Sequence, residues 1–421
     1  MTRDHTDGSG HVRLSDHERA LARLMRGAHL AGDHDLPRLF EEYAASIGVT
    51  PIRLYLVDLQ QRVLVPFLGP AGPGKDENPE TLSVDATLAG RGYQRVEILT
   101  QPLDRGRVRV WVPLLDGTER LGMLAATLPG AEDLDAHDGA MRTRLMTFAA
   151  LAAELVMTKT LYGDTVVRLR RTAPMGLAAE TQWSMLPPLT FSNGQVTISG
   201  GLEPAYEVGG DTVDYAVDAR TAHLAIFDGM GHGLRSSQLA AMAVASYRNA
   251  RRTGQDLTRT VRLVDEAISL SFGGEAFLTG LLAELDCESG RFTWISAGHP
   301  APLLLRDGGV LKELHVEPSL PLGLSGLLDE RPSIGTESLE PGDMVLLYSD
   351  GVVDARSPTG QFFGIDRLVG LVTRHLGAGL PAPETMRRVI TSLLDHQQGQ
   401  LDDDASLLLV QFRPDGTALL P

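Results

Sequence analysis

The chain has 421 residues, a formal net charge of −16 at pH 7 and a single cysteine, Cys287. Its acidity argues against partners that require a basic surface, so we expect no binding to nucleic acid or to an anionic membrane. One cysteine excludes an intrachain disulfide and favours the reducing cytoplasm, and the lack of a signal peptide or of an apolar run of about 18 residues agrees with that location. The length suits two domains.

The first part of the chain predicts helices followed by two hairpins. Residues 1–13 are polar, and we expect them to form a mobile tail. Apolar residues at helical spacing begin at Leu14, and a second helix is expected after Asp35. Alternating apolar residues then predict strands. The expected segments are strands at 52–56, 63–67, 108–112 and 121–128, an irregular loop at 69–79 and a short helix at 86–93.

A long helix is expected to leave this first part. Residues 140–171 carry apolar residues at helical spacing over about nine turns. Pro174 interrupts the pattern, residues 177–185 resume it, and a Pro-Pro pair stops it. A helix of this length that leaves a small domain is typically a connector or a dimer seam, so we place the domain boundary near residue 172.

The first part resembles a GAF domain, which is a mixed sheet with flanking helices whose last helix passes on to an effector. The resemblance rests on the order of elements and on segments such as WVPLLDGTERLGMLAA at 111–126, and a PAS-type domain is the nearest alternative. GAF domains bind small molecules or only dimerise, so the resemblance implies a sensor and a homodimer through the sensor and connector helices. The expected domains are a tail at 1–13, a GAF-like sensor at 14–138, a helical connector at 139–188 and a second domain at 189–415.

The second part is rich in strands, which are interrupted by two pairs of helices. This pattern indicates an α+β fold rather than repeated βαβ units, and two sheets packed face to face with helices outside would satisfy it. The expected strands are 196–199, 214–217, 223–227, 277–285, 292–297, 303–306, 344–348 and 406–412, and the expected helices are 236–251, 256–272, 366–376 and 383–396.

Two acidic, glycine-rich turns, GGD at 209–211 and DGMGHG at 228–233, are separated by the residues of one hairpin. Antiparallel pairing of its two strands would bring Asp211 and Asp228 to the same edge of a sheet. Two carboxylates close together repel each other unless a cation lies between them. The hairpin therefore predicts a divalent-metal site.

Two further acidic turns lie at strand ends in the same part of the chain. Asp350 follows one apolar strand, and Asp402, Asp403 and Asp404 precede the last one. Hard oxygen ligands without histidine or cysteine favour Mg²⁺ or Mn²⁺ over zinc. Gly229 has no side chain, so its backbone carbonyl can be turned towards a metal.

With these turns in place, the second part resembles the metal-dependent PPM-type protein serine/threonine phosphatases. It is similar to the bacterial branch that contains the sporulation phosphatase SpoIIE and the RsbU-like stress phosphatases. The matching segments fall in family order over about residues 176–412. They are WSMLPP at 183–188, GGDTVD at 209–214, DGMGHG at 228–233, SAGHPAPLLL at 296–305, PLGL at 321–324, LEPGDMVLLYSDGVVDAR at 339–356, FFG at 362–364 and DDDAS at 402–406.

The resemblance implies an α-β-β-α sandwich, two Mn²⁺ or Mg²⁺ ions and a phosphoserine or phosphothreonine protein as substrate. Carried over by position, Asp228 bridges the two metals and the Gly229 carbonyl ligates one of them. Asp350 and Asp403 hold the other, and Asp211 binds directly or through water. Two cations at such a site lower the pKa of a bound water and neutralise the phosphoryl oxygens. The family substrate is often a phosphorylated anti-anti-sigma protein with a STAS domain, which implies regulation of a sigma factor.

Other readings of the second part stay open. The main alternative is a catalytically silent scaffold that uses this fold to bind a partner, and a third is nonspecific hydrolysis of phosphomonoesters. Eukaryotic members of the family hold phosphate with an arginine near the first motif, for which this sequence has no obvious counterpart. Several residues also have structural interpretations: Asp402 and Asp404 as solvated loop charges, Asp214 as a turn cap, His299 as a residue that fixes a turn, and His232 as either a general acid or a solvent-facing residue.

Overall fold

A computed structural model describes residues 16–69, 80–203, 206, 209–231, 233–324, 331–399, 401 and 403–414. The predicted tail at 1–13 and nearly all of the predicted loop at 69–79 therefore lie outside the described residues. None of the helices in the described ranges is long and apolar enough to cross a lipid bilayer.

The N-terminal part is one antiparallel sheet with helices on both faces. Its strands are β1 Ile52–Val57, β2 Val63–Phe67, β3 Leu82–Ser83, β4 Leu99–Pro102, β5 Val108–Asp116 and β6 Glu119–Leu128. Its helices are α1 Asp16–Leu30, α2 Leu36–Ser46, α3 Leu88–Arg95 and α4 Glu132–Lys159. The strand order is β3-β2-β1-β6-β5-β4. The predicted helices and hairpins of this part are confirmed, and β3 and β4 are additions to the prediction.

Alternation along the strands explains why both faces are covered. In β1, Leu54 and Leu56 face a core built with α1, α2 and α4. Tyr55 and Val57 point to the other face, which packs against α3. On the first face, the ring of Tyr43 from α2 stacks on Phe148 of α4 with centroids 4.7 Å apart. The sheet is therefore buried on both sides, in keeping with the apolar character of its central strands.

The helical connector differs from the prediction. In place of the expected single helix at 140–171, helix α4 begins at Glu132 and ends at Lys159. Two short helices follow it, α5 Thr165–Leu169 and α6 Leu177–Trp183. The break follows from a contact with Asp33, which lies far away in the sequence. The Asp33 carboxylate accepts hydrogen bonds from the Thr165 backbone N–H at 2.7 Å and from its hydroxyl at 3.0 Å. A side chain at Gly163 would lie 2.6 Å from the same carboxylate, so the chain turns where only glycine fits.

The C-terminal part contains two antiparallel sheets. Its strands are β7 Thr190–Ser192, β8 Val196–Glu203, β9 Thr212–Val217, β10 Thr221–Gly229, β11 Leu278–Asp286, β12 Arg291–Ala297, β13 Leu303–Arg306, β14 Gly309–Glu313, β15 Gly335–Ser338, β16 Met344–Tyr348 and β17 Ala405–Phe412. Its helices are α7 Leu234–Arg252, α8 Leu257–Phe272, α9 Asp350–Val353, α10 Ile365–Gly377 and α11 Ala382–His396. The sheet orders are β15-β12-β11-β10-β9 and β14-β13-β16-β17-β8-β7. All eight predicted strands and all four predicted helices of this part are present.

The two sheets form the centre of a four-layer sandwich. Apolar residues of both sheets, such as Leu224 and Leu408, share one buried core between them. The outer face of the five-stranded sheet packs on α7 and α8, and that of the six-stranded sheet packs on α10 and α11. The predicted α-β-β-α sandwich is thereby confirmed, and its layers place the ends of β9, β10, β16 and β17 near one another.

Candidate active site

The hairpin formed by β9 and β10 brings the first two predicted aspartates together. Thr212 pairs with Phe227, so Asp211 and Asp228 occupy the next positions at the same edge of the sheet. Asp211 is only 2% exposed, whereas Asp228 is half-buried. The antiparallel arrangement that the sequence predicted is confirmed.

The ends of β16 and β17 supply the other two predicted aspartates from the opposite sheet. Ser349 and Ser406 link these ends, because the Ser349 N–H donates to the Ser406 carbonyl and the Ser406 N–H donates to the Ser349 hydroxyl, each at 3.0 Å. Asp350 follows the first strand and Asp403 precedes the second. Both side chains are exposed at the surface of the pocket described below.

Asp404 joins the two sheets, and its interpretation as a solvated loop charge is wrong. It is only 5% exposed. Its carboxylate accepts hydrogen bonds from the backbone N–H of Gly209 at 2.8 Å and of Asp211 at 3.1 Å. Asp404 therefore ties the segment before β17 to the segment before β9. Its neighbour Asp402 lies outside the described residues.

Glycines permit this close approach of backbones. A side chain on Gly210 would lie 2.2 Å from the Gly229 carbonyl oxygen, and one on Gly351 would lie 1.9 Å from the Asp404 carbonyl oxygen. The Gly229 N–H in turn donates to the Gly210 carbonyl at 3.1 Å. The glycines beside the aspartates in the GGD and DG turns are thus required by packing.

The aspartates of the site repel one another electrostatically. Burial, followed by the negative charges of Asp228 and Asp404, holds the pKa of Asp211 well above its usual range. Burial and the charge of Asp350 raise the pKa of Asp228 to about 7. Burial also raises the pKa of Asp404 to about 6 and that of Asp403 above its ordinary value. In each case desolvation is the largest cause, and the negative charge of a neighbouring acid adds to it.

The donor set fits divalent cations that prefer oxygen ligands. One carboxylate oxygen of Asp211, Oδ2, is buried without a hydrogen-bond partner, and the acids raise one another's pKa values, which a cation would reverse. Among the described residues, no three acidic, histidine or cysteine side chains converge as ligands of one ion. A site for Mg²⁺ does not require such a triad, because this ion retains several waters and is often held by one or two carboxylates.

A pocket of about 190 Å³ opens beside these aspartates. It is lined by Asp350, Gly351, Asp354, Ala355, Arg356, Gln397 and Asp403. Sequence reasoning missed Arg356 and Gln397. Gln397 follows α11 and reaches the pocket only through the packing of that helix on the sheet. The signal available for Arg356 was its place six residues after Asp350, within a segment already matched to the family.

The remaining candidates have structural roles or fall outside the described residues. Asp214 is buried in β9, where it pairs with Arg248 at 2.6 Å and Arg251 at 3.2 Å; it is structural, but not as the predicted turn cap. His299 lies in a turn, where its backbone N–H donates to the Ser296 hydroxyl and that hydroxyl donates to the His299 carbonyl, while its Nδ1 lies 2.8 Å from the Thr279 hydroxyl. His232 lies outside the described residues.

Several known proteins are similar to parts of this chain. Residues 218–413 match the model of the family described as "Stage II sporulation protein E (SpoIIE)". The chain is 26% identical over 236 residues to phosphoserine phosphatase RsbU of Bacillus subtilis (strain 168), a match that covers 56% of this chain and 69% of RsbU. It is 29% identical over 154 residues to protein IcfG of Synechocystis sp., covering 36% of this chain and 23% of IcfG. Among solved structures, the RsbU and RsbW domains of a Mycobacterium tuberculosis protein cover 53% of this chain and 63% of that chain, with 23% identity and a TM-score of 0.46.

The four-layer sandwich and these sequence matches define the C-terminal part as a PPM-type protein serine/threonine phosphatase domain. Within that class, residues 218–413 are similar to the SpoIIE family. The family match begins in the turn between β9 and β10, so it includes Asp228, Asp350 and Asp403 and leaves Asp211 and the N-terminal part outside.

Proposed function

We propose that this chain removes phosphate from phosphoserine or phosphothreonine in a protein with the help of two Mn²⁺ or Mg²⁺ ions. The observation that carries the proposal is the gathering of Asp211, Asp228, Asp350 and Asp403 from two sheets at one edge of the sandwich. The raised pKa values of Asp211, Asp228 and Asp403 give the site a strong preference for positive charge.

The chain's own residues have distinct proposed roles in this reaction. Asp228 interacts electrostatically with Asp211, Asp350 and Asp403, so it would contact both ions. Asp350 and Asp403 would hold one ion, the Gly229 carbonyl the other, and Asp211 would bind directly or through water. When bound, two such ions lower the pKa of a water nucleophile and offset the charge of the phosphoryl group. Asp404 positions Asp211 through its backbone N–H.

The direct test is phosphate release from a phosphoprotein with Mn²⁺ or Mg²⁺, with chelator, and with the variant Asp350→Asn. We expect activity that depends on the metal and is nearly abolished by chelator and by the substitution. Asp104→Asn, which changes an exposed acid in the N-terminal part, is the matched control and should behave as wild type. Activity that survives both chelator and Asp350→Asn would contradict the metal mechanism. A folded protein with no activity under any condition would favour the silent scaffold.

We further propose that the substrate is a phosphorylated STAS-domain anti-anti-sigma protein, so that dephosphorylation regulates a sigma factor. Similarity to a phosphoserine phosphatase, RsbU, supports a phosphoserine substrate, and the choice of a STAS-domain protein follows from the family resemblance of the sequence. The test compares turnover of a phosphorylated STAS protein with that of a small aryl phosphate. Comparable rates for the two would indicate nonspecific phosphomonoester hydrolysis instead.

We also propose that the N-terminal part, as a GAF-like sensor at 14–138 joined by the connector at 139–188, modulates this activity. The supporting contact is a buried ion network between β6 and α11. Arg120 of β6 lies 3.2 Å from Glu384 of α11, and Arg387 of α11 lies 2.5 Å from Asp85 of the N-terminal part. Arg120, Glu384 and Arg387 are almost fully buried, whereas Asp85 is 55% exposed, so a shift of the N-terminal sheet would strain α11 through the buried charges.

A second contact joins the connector to the site. Gln182 of α6 is 1% exposed and donates its side-chain N–H to the Asp211 carbonyl. Both contacts lie in one protomer; a homodimer through the sensor and connector helices and a cytoplasmic location stay predictions from the sequence. The regulatory proposal is tested by the kcat of the variant Gln182→Ala.

A further inference from the structure

Arg356 has an unusual setting beside the aspartates. It follows α9 and begins a tight turn, in which the Ser357 N–H donates to the Gln361 carbonyl at 2.8 Å. On the other side of this turn, Phe362 pairs with Arg356 in an antiparallel bridge. The guanidinium carbon lies 4.3 Å from the centre of the Phe362 ring. The arginine is therefore held in place by its backbone and by its neighbour's ring.

The stacking leaves the hydrogen-bonding edge of the guanidinium available. A cation–π contact uses the face of the guanidinium, whereas its N–H donors lie in the plane of the group. Among the described residues, no ion pair to Arg356 is formed. Arg306 in the same part of the chain shows the contrast, because it is matched by Asp343 at 2.7 Å and Glu340 at 2.7 Å.

The pocket around Arg356 has an unbalanced charge. Among its described lining residues, Arg356 is the one cation, and Asp350, Asp354 and Asp403 are acids. Metal ions at Asp350 and Asp403 would offset part of this negative charge. The in-plane donors of a guanidinium match two oxygens of a phosphate, which a lysine cannot do with a single ammonium.

We propose that Arg356 binds the phosphate group of the substrate and that Phe362 positions its guanidinium. This inference rests on the proposed phosphatase function and adds to it a phosphate-binding residue. That residue comes from the segment after Asp350 and not from the first motif, where eukaryotic members carry their arginine. The Gln397 side chain, which donates to the Arg356 carbonyl at 3.4 Å, supports the same segment from the end of α11.

The test measures inorganic phosphate binding and catalysis separately in the full-length protein with Mn²⁺. In Arg356→Gln we expect the affinity for inorganic phosphate to fall about tenfold, which corresponds to about 1.4 kcal/mol, a loss in the range of a charged hydrogen bond. KM for a small aryl phosphate should rise by a similar factor. Arg356→Lys should retain part of the affinity, and Phe362→Leu should lower it less than Arg356→Gln does.

Arg367→Gln is the matched control. Arg367 is also exposed and also lies over a phenylalanine ring, that of Phe363 at 4.8 Å, but it does not line the pocket. It should bind phosphate as wild type does. Arg356 is exposed, so its substitutions leave the buried core intact.

Two results would overturn the inference. One is an unchanged phosphate affinity in Arg356→Gln. The other is a raised KM for a phosphoprotein with unchanged phosphate affinity, which would assign Arg356 to the protein portion of the substrate. Because phosphate binding is measured without turnover, a wild-type protein that binds phosphate through Arg356 but hydrolyses nothing would contradict the proposed function and leave this inference standing.

Discussion

Two buried acids in this molecule have opposite electrostatic surroundings. Glu384 of α11 is fully buried, and Asp211 at the active site is 2% exposed. Burial alone would raise the pKa of Glu384, but hydrogen bonds and charges from Arg387 and Arg120 outweigh it and the pKa falls below its ordinary value. Burial and neighbouring acids instead hold the pKa of Asp211 well above its usual range.

The difference lies in the partners and not in the depth of burial. Glu384 lies within 3.2 Å of nitrogen atoms from Arg120, Arg387 and Arg388. Asp211 has Asp228 and Asp404 as its charged neighbours. A buried acid that is paired with arginines, as Glu384 is, stabilises a contact between two parts of the chain, and this ion cluster around Glu384 is called the joint below. A buried acid that is surrounded by other acids, as Asp211 is, marks a site for a cation.

The two sites are connected by α11. Glu384 and Arg387 lie in its first turns, where they contact the N-terminal sheet. Gln397, directly after its last residue, lines the pocket beside Asp350 and Asp403. The helix spans about 20 Å, so the joint and the catalytic pocket are attached to opposite ends of one rigid element. Substitutions at the active site should therefore act mainly on activity, and substitutions at the joint should act mainly on stability.

Asp228→Asn should have the largest effect, and the effect should be on activity. Removing one group that stabilises charge in an active site typically costs about 1,000-fold in rate. The metal-free variant should nevertheless be more stable than wild type above about pH 7, because the carboxylate that it removes is repelled by its neighbours. Phosphate release and thermal unfolding with chelator measure the two quantities.

A metal-free Asp228→Asn protein that unfolds at a lower temperature than wild type would contradict the view of this cluster as mutually repelling. Addition of Mn²⁺ should raise the unfolding temperature of wild type more than that of the variant, because a bound ion stabilises the folded state. Equal shifts in the two proteins would mean that Asp228 does not hold the ion.

Arg387→Gln should have the next largest effect, this time on stability. Breaking a buried ion pair costs about 3 kcal/mol, and Arg387 is 3% exposed while it contacts both Glu384 and Asp85. Arg388→Gln is the matched control, since Arg388 also lies 2.8 Å from Glu384 but is 37% exposed. Its loss should cost less than about 1 kcal/mol. Urea unfolding measures the loss of stability in both variants. Equal losses would mean that the buried pairs of Arg387 stabilise the protein no more than the surface pair of Arg388.

The sequence predicted central strands better than edge strands. The strands that it missed, β3, β4, β7, β14 and β15, all lie at sheet edges. An edge strand is covered on fewer sides, so its residues need not be apolar, as the alternating half-buried and exposed pattern of β4 shows. The central strand β16 is apolar throughout, and its boundaries were predicted to the residue.

Contacts between distant residues explain the other differences. The connector helix breaks near Gly163 because of Asp33, which lies 130 residues earlier. Asp404 looked like a loop charge because its partners, Gly209 and Asp211, come from another strand about 200 residues away. Asp211 and Asp228, by contrast, are joined by one hairpin, so local pairing alone was enough to predict that they meet. That the four aspartates bind metal stays a prediction.

The acid dependence of stability should reveal the joint at Glu384. A carboxyl group whose pKa is lowered on folding stabilises the protein above its unfolded pKa, here 4.5, and this contribution is lost as pH falls through the lower folded value. The stability difference between wild type and Glu384→Gln should therefore be constant near neutral pH. It should shrink below pH 4.5, at no more than about 1.4 kcal/mol per pH unit for one proton. A difference that grows in acid would contradict the lowered pKa.

Gln182→Ala should have the smallest effect, and it tests whether the connector reaches the site. The Gln182 side chain donates to the Asp211 carbonyl, and its loss leaves a buried acceptor without this donor, at about 1 kcal/mol. We expect kcat to fall a few-fold while the affinity for Mn²⁺ changes little, since the backbone and not the Asp211 carboxylate is affected. Thr181→Ala is the control, because Thr181 is half-buried on the same helix and its hydroxyl bonds only within it, to the Leu177 carbonyl. If Gln182→Ala and Thr181→Ala have the same kcat as wild type, α6 tethers the two parts of the chain without acting on the active site.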